Sequence, residues 1–184
     1  GYWYITKFKK GMEYPLYIRK KGNLKAKEEL LLDVNKLADG KEYYDLYFDA
    51  DLVSPDNKWL LYCVDYDGRR IYEIFIMNME TKKVLKYKID NVEICPVWAN
   101  DSKTIFYLRK NKTTLIGEKY YRHTIKDNPD NDKLIYHEKN QTFQNYLYKT
   151  KSNKYIVFGH SSTLSADFKL LNADNPTERL RNFS

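Results

Sequence analysis

Gly159-His160-Ser161-Ser162-Thr163 is the stretch of this chain whose residue types come nearest to catalytic chemistry. A Gly-x-Ser-x-Gly elbow holds a nucleophilic serine on a sharp strand-to-helix turn, with its oxygen exposed to a neighbouring base. Here the last position is Thr163, and a β-branched side chain has little room in such a turn. The segment after Thr163 has the pattern of another strand, not of a helix, so a polar hairpin turn is expected. His123, His137 and His160 lie in three separate stretches and are expected to be hydrogen-bonded strand or edge residues, not bases or ligands. Asp49, Asp51, Asp65 and Asp67 crowd together but lack the Gly and the distant Glu of a calcium loop, so turn and strand-end roles are expected. Cys63 and Cys95 sit inside apolar runs as buried thiols, not a disulfide framework, and no Cys/His spacing suggests zinc. No catalytic, cofactor-binding or metal-ligating residue is therefore assigned, and no cofactor is expected.

Asn100-Asp101-Ser102, Asn111-Lys112-Thr113 and Asn140-Gln141-Thr142 fit the glycosylation acceptor pattern, and in an intracellular protein they are exposed turns. The formal charge is +7, from 32 basic and 25 acidic residues. The excess is spread out, with its densest spots at Lys7–Lys10, Arg19–Lys21 and Lys149–Lys151. A basic, aromatic-rich chain could bind nucleic acid, but no nucleic-acid module accompanies the charge. Trp3, Trp59 and Trp98 lie in strand patterns and are expected to pack between sheets, not to stack on bases. No apolar run approaches the ~18 residues of a membrane span, and no signal peptide is present. The chain starts at Gly1, which suggests a piece of a longer protein.

The elements that would position these residues are strands. Val53-Ser54-Pro55-Asp56-Asn57-Lys58-Trp59 is a hairpin turn between two apolar runs. Pro55 presets φ, and Asp56 and Asn57 tolerate unusual dihedrals and bond their own backbone. The outline returns at Val97-Trp98-Ala99-Asn100-Asp101-Ser102-Lys103 and at Tyr148-Lys149-Thr150-Lys151-Ser152-Asn153-Lys154. A hairpin recurring every 40–50 residues or so is the mark of propeller blades.

Strands are expected at residues 2–6, 14–19 and 29–33, followed by one helical turn over 34–40 closed by Gly40. In the second unit residues 46–53 lead into the hairpin, and strands follow at 59–64, 71–78 and 84–89. The third has 94–98, 104–109, 119–125 and 133–138, and the fourth 146–149, 155–160 and 167–172 before a stub. The expected fold is all-β: an incomplete β-propeller of about four antiparallel four-stranded blades, the first and last truncated. The units run roughly 1–40, 41–90, 91–140 and 141–184. A blade cannot bury both faces alone, so the outer faces of such an arc are expected to be covered by a partner chain, by crystal contacts or by self-association.

Leu31-Leu32-Asp33-Val34-Asn35-Lys36, Val53-Ser54-Pro55-Asp56-Asn57, Asp90-Asn91-Val92-Glu93, Val97-Trp98-Ala99-Asn100-Asp101-Ser102, Tyr121-Arg122-His123, Asp132-Lys133-Leu134-Ile135-Tyr136 and Lys169-Leu170-Leu171-Asn172-Ala173-Asp174 fall in fixed order. This set resembles the N-terminal propeller of the oligopeptidase B (protease II) family, in the prolyl oligopeptidase group of serine peptidases. The resemblance implies a parent enzyme that cuts short peptides after Lys or Arg in the cytoplasm. There a seven-bladed propeller caps an α/β-hydrolase domain that carries the catalytic residues and the carboxylates for the basic side chain. This stretch would then be a non-catalytic scaffold and size filter, its partners that hydrolase domain and the parent's peptide substrates. A TolB- or WD-like propeller that docks proteins is the alternative, since Ser-Pro-Asp turns occur there too.

Overall fold

The structure is a computed structural model that describes residues 1–94 and 96–183. The expectation for Cys95 lies outside the described residues. Antiparallel strands dominate. β1 (Tyr2–Lys7), β2 (Leu16–Lys21) and β3 (Glu29–Asp33) form a three-stranded sheet in that order. Helix α1 (Val34–Ala38) follows, with the Asp33 side chain accepting from the Lys36 N–H at its start and Gly40, at φ +71°, just past its end.

The second unit holds β4 (Asp45–Tyr47), β5 (Trp59–Asp65), β6 (Tyr72–Asn78) and β7 (Ile89–Val92). The third holds β8 (Val97–Trp98), β9 (Thr104–Lys110), β10 (Gly117–Thr124) and β11 (Lys133–His137). The last sheet is β12 (Gln144–Lys149), β13 (Tyr155–Ser161), β14 (Ala166–Asn172) and β15 (Arg181–Asn182), in chain order. The fold is the expected open, antiparallel propeller fragment, and no sheet closes on itself among the described residues.

Two local features differ from the sequence expectation. The strand expected over 84–89 touches β6 only at Val84, which bridges Met77, and at the Leu85 N–H, which bonds the Ile76 carbonyl. The chain then leaves the sheet, because the Tyr87 hydroxyl is held by His123 and by the Lys126 N–H of the next unit. Pairing resumes at β7. Second, β7 joins two units: Val92 pairs with Tyr72 of β6 and with Arg109 of β9. The inner edge of β9 is thus served by β7 at one end and by β8 at the other, and the Glu93 N–H just after β7 also bonds the Leu108 carbonyl of β9. Asn91, at φ +55°, turns the chain there and donates its side-chain amide to the Lys110 carbonyl at 2.7 Å.

The repeated hairpin is reproduced bond for bond. Ser54, Ala99 and Thr150 each donate their N–H across the turn, to Trp59, Thr104 and Tyr155 respectively. The residue before each lysine is left-handed: Asn57 at φ +59°, Ser102 at +58° and Asn153 at +57°. The carbonyls of Lys58, Lys103 and Lys154 then accept from Met79, Ile125 and Ala173, just beyond each unit's third strand.

β9 organises the core because both of its faces are buried. Its side chains alternate. Ile105 and Tyr107 enter a cluster with Leu60, Val64, Ile74, Ile76 and Trp98, while Phe106 and Leu108 enter a second cluster with Leu147, Ile156, Phe158 and Leu171. Trp98 is fully buried and donates its indole N–H to the Leu52 carbonyl at 3.0 Å, so it packs between units as expected. Trp3 instead is half exposed, and Trp59 sits partly buried beneath the Lys126 ammonium.

Candidate functional site

The residues singled out for chemistry are placed by strands, and the structure separates them. Gly159, His160 and Ser161 end β13, and the Ser162 N–H bonds the Ser165 carbonyl at 2.8 Å, closing a hairpin into β14. Gly159 is required by packing: a Cβ there would lie 2.2 Å from the Tyr146 ring. His160 is fully buried. Its Nδ1 donates to Asn145 Oδ1 at 2.7 Å, and its Nε2 has no partner among the described residues. Burial holds its pKa below the ordinary imidazole value, against the pull of Glu138 and Asp167 and with the push of Lys169.

His123 on β10 is buried in another seam. Its Nδ1 donates to Asp132 Oδ1 at 2.7 Å, and its Nε2 accepts from the Tyr87 hydroxyl at 2.9 Å. The second Asp132 oxygen accepts from the Tyr107 hydroxyl at 2.9 Å. An acid–imidazole–hydroxyl series has the topology of a charge relay, but its last member is a phenol whose pKa burial raises above the ordinary value. That hydroxyl already accepts from the Lys126 N–H and is no nucleophile; the series fastens two units together. His137 is half-buried at the end of β11, 3.7 Å from Glu118.

The carboxylates also separate. Buried Asp65 accepts from the N–H groups of Asp67, Gly68 and Arg70, and so organises its turn. Asp49 caps a short 3-10 turn over Ala50–Leu52. Among the described residues no group of three or more His, Cys, Asp or Glu side chains could hold a metal ion. Cys63 is buried in β5. Two of the acceptor-pattern asparagines donate their amides: Asn100 to the Asn153 carbonyl and to Asp174 Oδ1, both at 2.8 Å, and Asn111 to Glu118 Oε2 at 3.2 Å.

A concavity lies elsewhere, where the strands β4, β8 and β12 come together. β8 is only two residues long there. The recess encloses about 730 Å³, within the range of small-molecule clefts. Asp49, Asp51, Lys149 and Lys151 line it, together with the apolar surface of Leu52, Val97 and Leu147. Lys149 is half-buried and donates to Asn100 Oδ1 at 3.1 Å. Its pKa is lowered by burial, partly opposed by Asp51, Asp174 and Asp101. The sequence marks Asp49, Asp51 and the basic spot at Lys149–Lys151 separately. Their meeting across two units depends on the curvature of the arc, and no local signal carries it.

Residues 1–183 match the family described as prolyl oligopeptidase, N-terminal beta-propeller domain. A dipeptidyl aminopeptidase BI from Pseudoxanthomonas mexicana is 32% identical over 96% of this chain, and a protease 2 from Moraxella lacunata is 28% identical over 98%. The chain spans 26% and 27% of those two proteins. The structure of oligopeptidase B from Leishmania major superposes over the whole chain with a TM-score of 0.89 at 26% identity, and the chain covers 26% of it.

Proposed function

Since the chain belongs to the prolyl oligopeptidase family, as part of its N-terminal β-propeller domain, we propose that it is the non-catalytic, size-excluding wall of a serine-type oligopeptidase. Its parent cleaves short peptides after Lys or Arg in the cytoplasm. The units 1–40, 41–90, 91–140 and 141–184 are successive blades of a seven-bladed ring, which stands on an α/β-hydrolase domain of the same parent. The catalytic residues belong to that domain. The mechanism is steric: a funnel of stacked sheets admits a flexible peptide, whereas a folded protein would first have to unfold.

The observation that supports this reading most is the stacking itself. Tyr4 donates to Asn57 Oδ1 at 3.2 Å, the Asp56 N–H donates to Ser102 Oγ at 3.0 Å, and Asn100 donates to the Asn153 carbonyl at 2.8 Å. Each unit is thereby fixed to the next at the same hairpin, as a rigid wall requires. The match to a dipeptidyl aminopeptidase, at higher identity than the match to a protease 2, favours a second reading of the parent's specificity, in which it releases dipeptides.

The test is made on the longer parent and on the chain alone. The chain alone should turn over no Arg- or Lys-containing reporter peptide. Deleting the propeller from the parent should let folded proteins be cut while short reporter peptides are still hydrolysed. Continued rejection of folded proteins would exclude the filter role, and turnover by the chain alone that Ser161→Ala abolishes would exclude the non-catalytic one. Self-association through the outer sheet faces follows from the same reading, and sedimentation of the chain as a monomer at all concentrations would remove it.

A further inference from the structure

The recess between β4, β8 and β12 is lined by charges of both signs. Asp49, Asp51, Lys149 and Lys151 line it, and none of the four is in an ion pair within 4.0 Å among the described residues. A simple anion drawn to the lysines meets the field of Asp51, and a simple cation drawn to the aspartates meets that of Lys149. A ligand that carries both charges, set apart, satisfies both pairs. The surface between them is apolar, from Leu52, Val97 and Leu147, with the half-exposed Tyr148 ring beside it.

We propose that this recess binds short peptides with free termini. The peptide ammonium lies against Asp49 and Asp51, its carboxylate against Lys149 and Lys151, and a side chain rests on Val97 and Leu147. The recess is a holding site and not a site of bond cleavage. This rests on the reading that the parent handles short peptides, but its test measures binding and uses no hydrolysis, so either can fail without the other.

The experiment is calorimetric titration of the 184-residue chain with tetra-alanine at low salt. Acetylating the N-terminus or amidating the C-terminus should each weaken binding about tenfold, the size of one charge-assisted contact. Asp51→Asn should weaken the free peptide but leave the acetylated one unchanged, and Lys151→Gln should do the same for the amidated one. Both side chains are exposed, so the variants should fold as the original does. Equal binding of free and capped peptides would overturn the proposal, as would no binding at millimolar peptide. Binding to the chain but not to the longer parent would assign the recess to another segment of the parent, and would overturn it too.

Discussion

Two buried histidines sit in neighbouring seams of this arc and are held in opposite ways. His123, between the second and third units, has both ring nitrogens engaged, by Asp132 and by Tyr87. His160, between the third and fourth, has Nδ1 engaged by Asn145 and Nε2 by nothing among the described residues. Both rings pack edge-on against tyrosines, His123 on Tyr87 and His160 on Tyr120. The packing is alike and the polar satisfaction is not. The first seam is therefore locked by a network that fails if one member is removed, and the second by shape with a tolerated defect.

The sharpest way to break this comparison is Asp132→Ala. It leaves His123 Nδ1 and the Tyr107 hydroxyl without their acceptor in a buried place, and should cost about 3 kcal/mol by chemical denaturation. A loss no larger than that of an exposed substitution would show the network to be ornamental. Next comes Gly159→Ala, beside His160. The added methyl meets the Tyr146 ring, and overpacking of this kind should cost about 1–3 kcal/mol. His160→Leu discards the unpartnered Nε2 but also takes the donor from Asn145 Oδ1, one bond against the two lost in Asp132→Ala, and should cost about 1–2 kcal/mol. If it cost more than Asp132→Ala, the contrast between the seams would be reversed.

The smallest expected effect concerns pH. The pKa of folded His160 is lowered, so the unfolded chain binds the proton more readily. Its contribution to stability is present above the ordinary imidazole value of 6.5 and is lost as pH falls toward the folded value. Denaturation midpoints should therefore decline as pH falls below about 6.5, and that part of the decline should vanish in His160→Leu. An unchanged pH profile in the variant would place the acid sensitivity elsewhere.

Most of the strand pattern was legible in the sequence, because period-two burial and turn chemistry are local. The three hairpins gave themselves away through Ser-Pro-Asp-Asn-Lys and its two echoes, although Ser102 in a left-handed conformation is not a choice that turn preferences favour. The segment at 84–89 misled for a physical reason. Val84-Leu85-Lys86-Tyr87-Lys88 alternates like a paired strand, yet the partner that pulls Tyr87 away is His123, far along the chain. Polar seams pair residues from different units: Tyr87 with His123, Arg122 with the Pro176 carbonyl, Asn100 with Asp174. The recess is of the same kind. Its residue types were visible one by one, but their convergence belongs to the way the sheets fan.

The handover at Val92, which pairs with β6 on one side and β9 on the other, has a consequence for how the molecule comes apart. The two middle sheets share one continuous ladder and should open together, in a single cooperative event. The first and last sheets are attached only by side chains and turn contacts, so they can detach singly without breaking that ladder. Amide protons in β5 and β9 should be the last to exchange with deuterium, and those in β1 and β14 should go long before them.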